Sequence, residues 1–167
     1  SAKSIIAMGQ APHDLITNND GTREQKAEWW IEALKSSFSQ ISPDIRKDIK
    51  AIGVSGQQHG FVPIDCDGNV LYNVKLWCDT TTTEECAEIT ERYGGAEKLL
   101  KDNCNLILPG YTAGKILWLK KHHKDLYDKL DTILLPHDYL NFILTGEKTM
   151  EYGDASGTSL LNIKERK

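Results

Sequence analysis

Behind Thr22-Arg23-Glu24-Gln25, which has the form of a capping box, apolar residues recur at helical spacing (Ala27, Trp30, Ala33, Leu34, Phe38), predicting a helix over about 23–39. The run Ile49-Lys50-Ala51-Ile52-Gly53-Val54 reads as a buried strand ending in Ser55-Gly56-Gln57-Gln58-His59-Gly60. Phe61-Val62-Pro63-Ile64 and Val70-Leu71-Tyr72 flank the turn Asp65-Cys66-Asp67-Gly68-Asn69, a hairpin signal, and Lys75 to Asp79 continues as an extended piece. Thr80 to Tyr93 predicts a helix opened by threonines with Glu84 and Glu85 behind them and stopped by Gly94-Gly95. A short helix follows over Ala96 to Asn103, then a loop to Pro109-Gly110, then a helix capped by Thr112 and broken near His123. Ile133-Leu134-Leu135 is strand-like and closed by Pro136, and His137 to Leu144 returns to helical spacing before Gly146. Residues 1–20 carry no predicted element, and the tail Tyr152 to Thr158 is rich in small polar residues. Alternating strands and helices with a hairpin predict an α/β fold with a mixed sheet.

Composition narrows the function classes. The 167 residues are 40% hydrophobic and 26% charged, sufficient for one core. A net charge of −4 gives no general support for a nucleic-acid partner. Apolar stretches fall far short of the roughly 20 residues of a membrane span, and the N-terminus lacks a signal-peptide pattern, which predicts a cytoplasmic protein with no membrane partner. Cys66, Cys78, Cys86 and Cys104 form no C-x-x-C pair and read as reduced thiols, with no metal site expected. His122 and His123 close a Lys-rich helix and read as a solvated face, whereas Trp29-Trp30 reads as core or interface.

The end of the first predicted strand is the chemical puzzle. Ligands of open α/β sheets collect at strand ends. There, Gln57 and Gln58 offer amide donors and acceptors, and a neutral His59 offers one of each. Taken alone, a strand-end histidine is more often structural.

Val54-Ser55-Gly56-Gln57-Gln58-His59-Gly60 resembles the S-G-Q-M-H-G segment of FGGY-type sugar kinases, within them the xylulokinases, with Gln58 where methionine is common. Leu76-Trp77-Cys78-Asp79-Thr80 resembles that family's L-W-x-D-x-R/T piece, and Gly110 to His122 fits its first signature throughout. Leu134 to Leu140 and Asp154-Ala155-Ser156-Gly157-Thr158 complete the match, from about Trp29 to Ile163. The resemblance implies the first, ribonuclease H-like (actin-like ATPase) domain of a two-domain kinase that uses ATP and Mg2+ to convert D-xylulose to xylulose 5-phosphate. It implies that Gln58 and His59 meet the sugar and that Trp77 packs on its carbon face, with plain core as the other reading of Trp77. Gln57 is a further candidate for the sugar that reads more readily as structural, as does Lys115, a phosphate ligand by residue type. Asp79 orients its loop or caps the next helix, and Asp138 and Asp154 order loops or reach the substrate.

The resemblance also implies pieces beyond this sequence: a phosphate-loop hairpin before Ser1, and a catalytic aspartate and nucleotide domain after Lys167. On that reading no catalytic residue lies in the chain, which alone is expected to be inactive and, with open sheet edges, to associate. Gluconokinase, ribulokinase and glycerol kinase are the alternatives within the fold. A non-catalytic sugar-binding or homodimer-forming module, using Trp29, Trp30 and Trp118 as a surface, is the alternative from another class.

Overall fold

The structure is a computed structural model describing residues 4–166. Thirteen short elements follow in order: β1 (Ile16–Thr17), β2 (Arg23–Gln25), α1 (Ala27–Ser39), α2 (Pro43–Lys47), β3 (Val62–Ile64), β4 (Val74–Lys75), α3 (Thr83–Tyr93), α4 (Ala96–Asn103), α5 (Thr112–His122), α6 (Lys124–Tyr127), β5 (Thr132–Leu134), α7 (Pro136–Thr145) and α8 (Tyr152–Ser156). The fold is mixed α/β. Its strands form two antiparallel sheets, β1-β2-β4 and β3-β5, linked by a bridge between Phe61 and Lys75.

One core lies between these sheets and helices α1 and α7, with Trp30, Val62, Ile64, Val74, Leu134 and Tyr139 buried together. Trp30 is anchored there because its indole N–H donates to Gln25 Oε1 at 3.0 Å, satisfying the one polar atom it would otherwise bury unpaired. A second, smaller core joins Cys86, Leu99, Ile107 and Ala113 under α3, α4 and α5.

The helix expected from residue 23 begins instead at Ala27, and Arg23–Gln25 is a strand. The Thr22-x-x-Gln25 pattern loses to tertiary pairing. The Arg23 N–H donates to Asp79 Oδ2 at 2.8 Å, the Arg23 carbonyl accepts from Leu76 N at 2.9 Å, and Glu24 pairs with Lys75 at 3.0 Å. Similarly, residues 80–82 form a turn ahead of α3, because the Asp79 carboxylate accepts both the N–H and the hydroxyl of Thr81. Gly94, at φ 109°, closes α3 in the left-handed region as expected. Thr112 is not the cap of α5: Tyr111 takes that position and Thr112 is buried in the first turn.

The strand expected at 49–54 joins no ladder among the described residues, and Ile52 is 64% exposed. Apolar character made it look buried, but a strand needs a neighbour to pair with, and none of the described strands runs beside it. The expected mixed sheet is therefore two antiparallel ones. The hairpin forms as read, with the Asp65 carboxylate accepting the N–H groups of Asp67 and Asn69 and with Ile64 bridged to Val70. In the polar ends of the chain the structure adds β1 and α8; residues 1–3 of the N-terminal stretch lie outside the described residues.

Candidate functional site

A cavity of about 640 Å³ opens where the segment 54–59, the entry to α5, the start of α7 and the turn of α8 converge, and Gln58, His59, Tyr111, His137 and Asp154 line it. Of these, His59 has φ 56°, a left-handed backbone that costs a non-glycine residue roughly 1–3 kcal/mol and is kept only where its surroundings enforce it. They do so on both sides. The His59 N–H points at the Asp154 carboxylate, 3.3 and 3.4 Å from its two oxygens, and the His59 carbonyl accepts from Lys115 Nζ at 2.7 Å.

Close packing by glycine makes this conformation fit. A Cβ on Gly157 would fall 1.9 Å from His59 Cε1, and one on Gly60 would fall 2.5 Å from Pro136 Cγ. The Tyr111 ring lies against the other side of the imidazole, with centroids 4.5 Å apart.

Asp154 is delivered by α8, whose first turn is fixed by the Glu151 carboxylate accepting the N–H groups of Gly153 and Asp154. Its Oδ1 stands 3.0 Å from His59 Nδ1 and its Oδ2 3.7 Å from His137 Nδ1. His137 Nε2 is in turn 3.2 Å from Asp138 Oδ1. These imidazole contacts have ion-pair distances but not the alignment of hydrogen bonds, leaving buried His59 Nδ1 and His137 Nε2 without a hydrogen-bond partner among the described residues.

Burial pushes the His59 imidazole below its usual range, Asp154 partly offsets this, and the Lys115 charge pushes the same way as burial. A neutral ring with one donor and one acceptor is the consequence. Burial raises the Asp138 carboxyl, against the opposing effect of His137.

Gln58, His59 and Asp154 are thus brought together. The other expected site residues lie elsewhere. Gln57 turns away, its amide donating to Gln25 Oε1 at 3.0 Å. Asp79 is fully buried and orders its own turn, and Asp138 accepts the Leu135 N–H at 3.2 Å at the start of α7. Trp77 is 52% exposed and lies outside the cavity lining, with its carbonyl against Gly110. Tyr111 and His137 were not singled out in the sequence. His137 could have been, because it lies just past the strand-like run Ile133-Leu134-Leu135, at a place where ligands of α/β sheets collect.

Among the described residues no group of three or more His, Cys, Asp or Glu could hold a metal ion, and the cavity lining includes no Lys or Arg. No helix is long and apolar enough to cross a membrane among the described residues.

Over residues 1–167 the sequence matches the N-terminal domain of the FGGY family of carbohydrate kinases. It is 40% identical to a xylulose kinase of Haemophilus influenzae, covering 98% of this chain and 35% of that protein, and 43% identical to a xylulose kinase of Bacillus subtilis, covering 97% and 33%. The chain spans about a third of the length of these curated relatives. The crystal structure of xylulose kinase from Rhodospirillum rubrum superposes with a TM-score of 0.89 at 20% identity, over 98% of this chain and 35% of that one, a likeness of fold.

Proposed function

We propose, since the chain belongs to the FGGY family of carbohydrate kinases, that it forms the sugar-facing part of an enzyme that phosphorylates D-xylulose with ATP. The observation that carries this reading is the cavity floor. A neutral His59, the Gln58 amide and the Asp154 carboxylate present donors and acceptors side by side. A polyol needs that mixture at adjacent carbons, and a site that pairs each hydroxyl discriminates because an analogue lacking one leaves a buried group unpaired. The names of the relatives support the choice of xylulose.

In the reaction the attacking sugar hydroxyl gives its proton to a base while the γ-phosphoryl passes to its oxygen and ADP leaves. This chain's part is to hold the sugar for in-line attack. A nucleotide with Mg2+ does not fit the residues present, since the cavity lining has no Lys or Arg and, among the described residues, no carboxylate cluster suits a metal. Those groups, the base, a phosphate-loop hairpin and a second domain belong, on this proposal, to the rest of the protein. The four free cysteines support work in the cytoplasm.

The test is a coupled assay of ADP release by the whole protein carrying this chain, with Mg-ATP and D-xylulose, D-ribulose, D-gluconate or glycerol. Preference for D-xylulose in kcat/KM, lost in His59→Ala, is expected, with no turnover by the 167 residues alone. Preference for another polyol, or an unaffected His59→Ala variant, overturns the reading.

A further inference from the structure

Below the cavity floor, α5 places an ammonium that the sugar-facing residues do not use directly. Lys115 is fully buried, and its Nζ donates to the carbonyls of His59 at 2.7 Å, Gly110 at 2.8 Å and Leu76 at 2.9 Å. An ammonium has three N–H donors and no acceptor, so three carbonyls satisfy it completely. They come from three separate stretches: the segment carrying His59, the loop entering α5 and the residue after β4.

The three are not equivalent. Only the His59 carbonyl belongs to a residue held in the left-handed region, with its other end tied to Asp154. The second polar group near that carbonyl, the Thr112 hydroxyl, is 3.5 Å away and holds it weakly. We propose that Lys115 is a positioning residue of the sugar pocket, its ammonium fixing the His59 backbone that aims the imidazole into the cavity, so that sugar affinity requires Lys115 to be protonated.

The burial of Lys115 supports what the geometry carries. Burial lowers Lys115 to about 7, with Asp79, Cys78 and Cys86 acting to raise it and Lys75 to lower it. Asp79, Lys75 and Cys78 face it from β4 and the turn beyond, Cys86 from α3, and Asp154 from α8 acts on the His59 it holds. A neutral amine has two donors for three carbonyls and turns its lone pair toward the third, so the strained His59 carbonyl is released.

The sign separates this effect from unfolding. Between about 7 and the usual 10.5 the unfolded chain binds a proton the folded one has lost, so Lys115 makes the fold more stable as pH rises. Sugar affinity falls over the same range.

This inference rests on the sugar-pocket reading, and the test keeps the two apart. In the whole protein carrying this chain, calorimetry measures D-xylulose affinity for the unmodified protein, Lys115→Met, His59→Ala and the double variant. Lys115→Met is expected to weaken binding about tenfold, but less than about twofold in the His59→Ala background, because the two act as one unit. Affinity of the unmodified protein is expected to fall above pH 7, and that of Lys115→Met to stay level. An equal loss in both backgrounds, or no loss, overturns the inference.

The carbonyl 13C resonance of His59 gives a second measurement, independent of sugar and of whether Lys115→Met folds. In the unmodified protein it is expected to titrate with a midpoint near 7, following Lys115. A shift confined to the range below 6.5, where His59 itself titrates, overturns the inference. If His59→Ala leaves affinity unchanged while that carbonyl titrates near 7, the sugar reading fails and the coupling stands.

Discussion

Asp154 Oδ1 stands 3.0 Å from His59 Nδ1, and the same carboxylate faces the His59 backbone N–H, bringing together residues 95 positions apart in sequence. One acidic side chain therefore bears on both the conformation and the charge of an imidazole that lines the cavity.

Replacing it separates those two effects. Asp154→Asn keeps an acceptor for the His59 N–H but removes the charge that favours the imidazolium, so the His59 titration, already lowered by burial, moves further down. Asp154→Ala removes both, and is expected to weaken D-xylulose binding about tenfold, against a few-fold for the amide. An NMR titration of the His59 ring in the three proteins checks the direction, and an upward shift in Asp154→Asn contradicts it.

Gly157→Ala tests the packing that admits the ring. Gly157 has φ −75° and ψ −10°, which alanine adopts freely, so backbone strain is not at issue. The added methyl would lie 1.9 Å from His59 Cε1 and 2.5 Å from its Nδ1. Overpacking costs about 1–3 kcal/mol, and the low end is expected because the ring borders an open cavity. Thermal unfolding should change little while D-xylulose affinity falls about tenfold; unchanged affinity would mean that the ring position is unimportant.

Asp79 carries a structural load by contrast. Its buried carboxylate accepts from the N–H groups of Arg23 and Thr81 and the Thr81 hydroxyl, and lies 3.4 Å from Lys75 Nζ, whose ring neighbour is Trp118 at 3.9 Å. Asp79→Ala is expected to destabilise the protein by about 3–5 kcal/mol, since it strands donors and takes from Lys75 one of its two buried carboxylates, leaving it Glu24 and the Thr81 hydroxyl. Urea unfolding measures this, and a loss below about 1 kcal/mol would show that water replaces the carboxylate.

Local signals were the readable part of this sequence. The Asp65 turn, the glycine stop of α3 and the helical spacing of α1 and α7 depend on residues a few positions apart, and each formed close to its expected place. What failed depended on distant partners. Arg23–Gln25 became a strand because Asp79 and Lys75 met it across the fold, and 49–54 lacked a neighbour among the described residues. Residue type alone leaves His59 structural, and only the resemblance of the segment around it points Gln58 and His59 to the sugar; the opposing Asp154 wall needed a juxtaposition that spacing does not encode. Lys115 was read as structural, yet its burial was hidden, because a lysine in mid-helix ordinarily points to water.

Acid sensitivity should trace in part to Glu85, which is 1% exposed on α3 and pairs with Lys121 Nζ at 3.0 Å and His122 Nε2 at 3.3 Å. Burial alone would raise its carboxyl, but the hydrogen bonds from Lys121 and His122 prevail and hold it below the usual 4.5. In the window just below 4.5 the unfolded chain takes up a proton that the folded one refuses, so this contribution is complete above that window and disappears as pH falls through the folded value. Glu85→Gln is expected to lower stability at pH 7 by roughly 1–3 kcal/mol, because a charged hydrogen bond to a buried carboxylate is lost while Lys121 remains solvated. As pH falls through the folded value of Glu85 the variant and the unmodified protein should converge, since both then present a neutral side chain to Lys121. Urea midpoints at pH 7 and through the acid titration of Glu85 decide the matter: a difference that does not narrow as the carboxyl protonates would assign the loss to packing of the amide rather than to the ion pair.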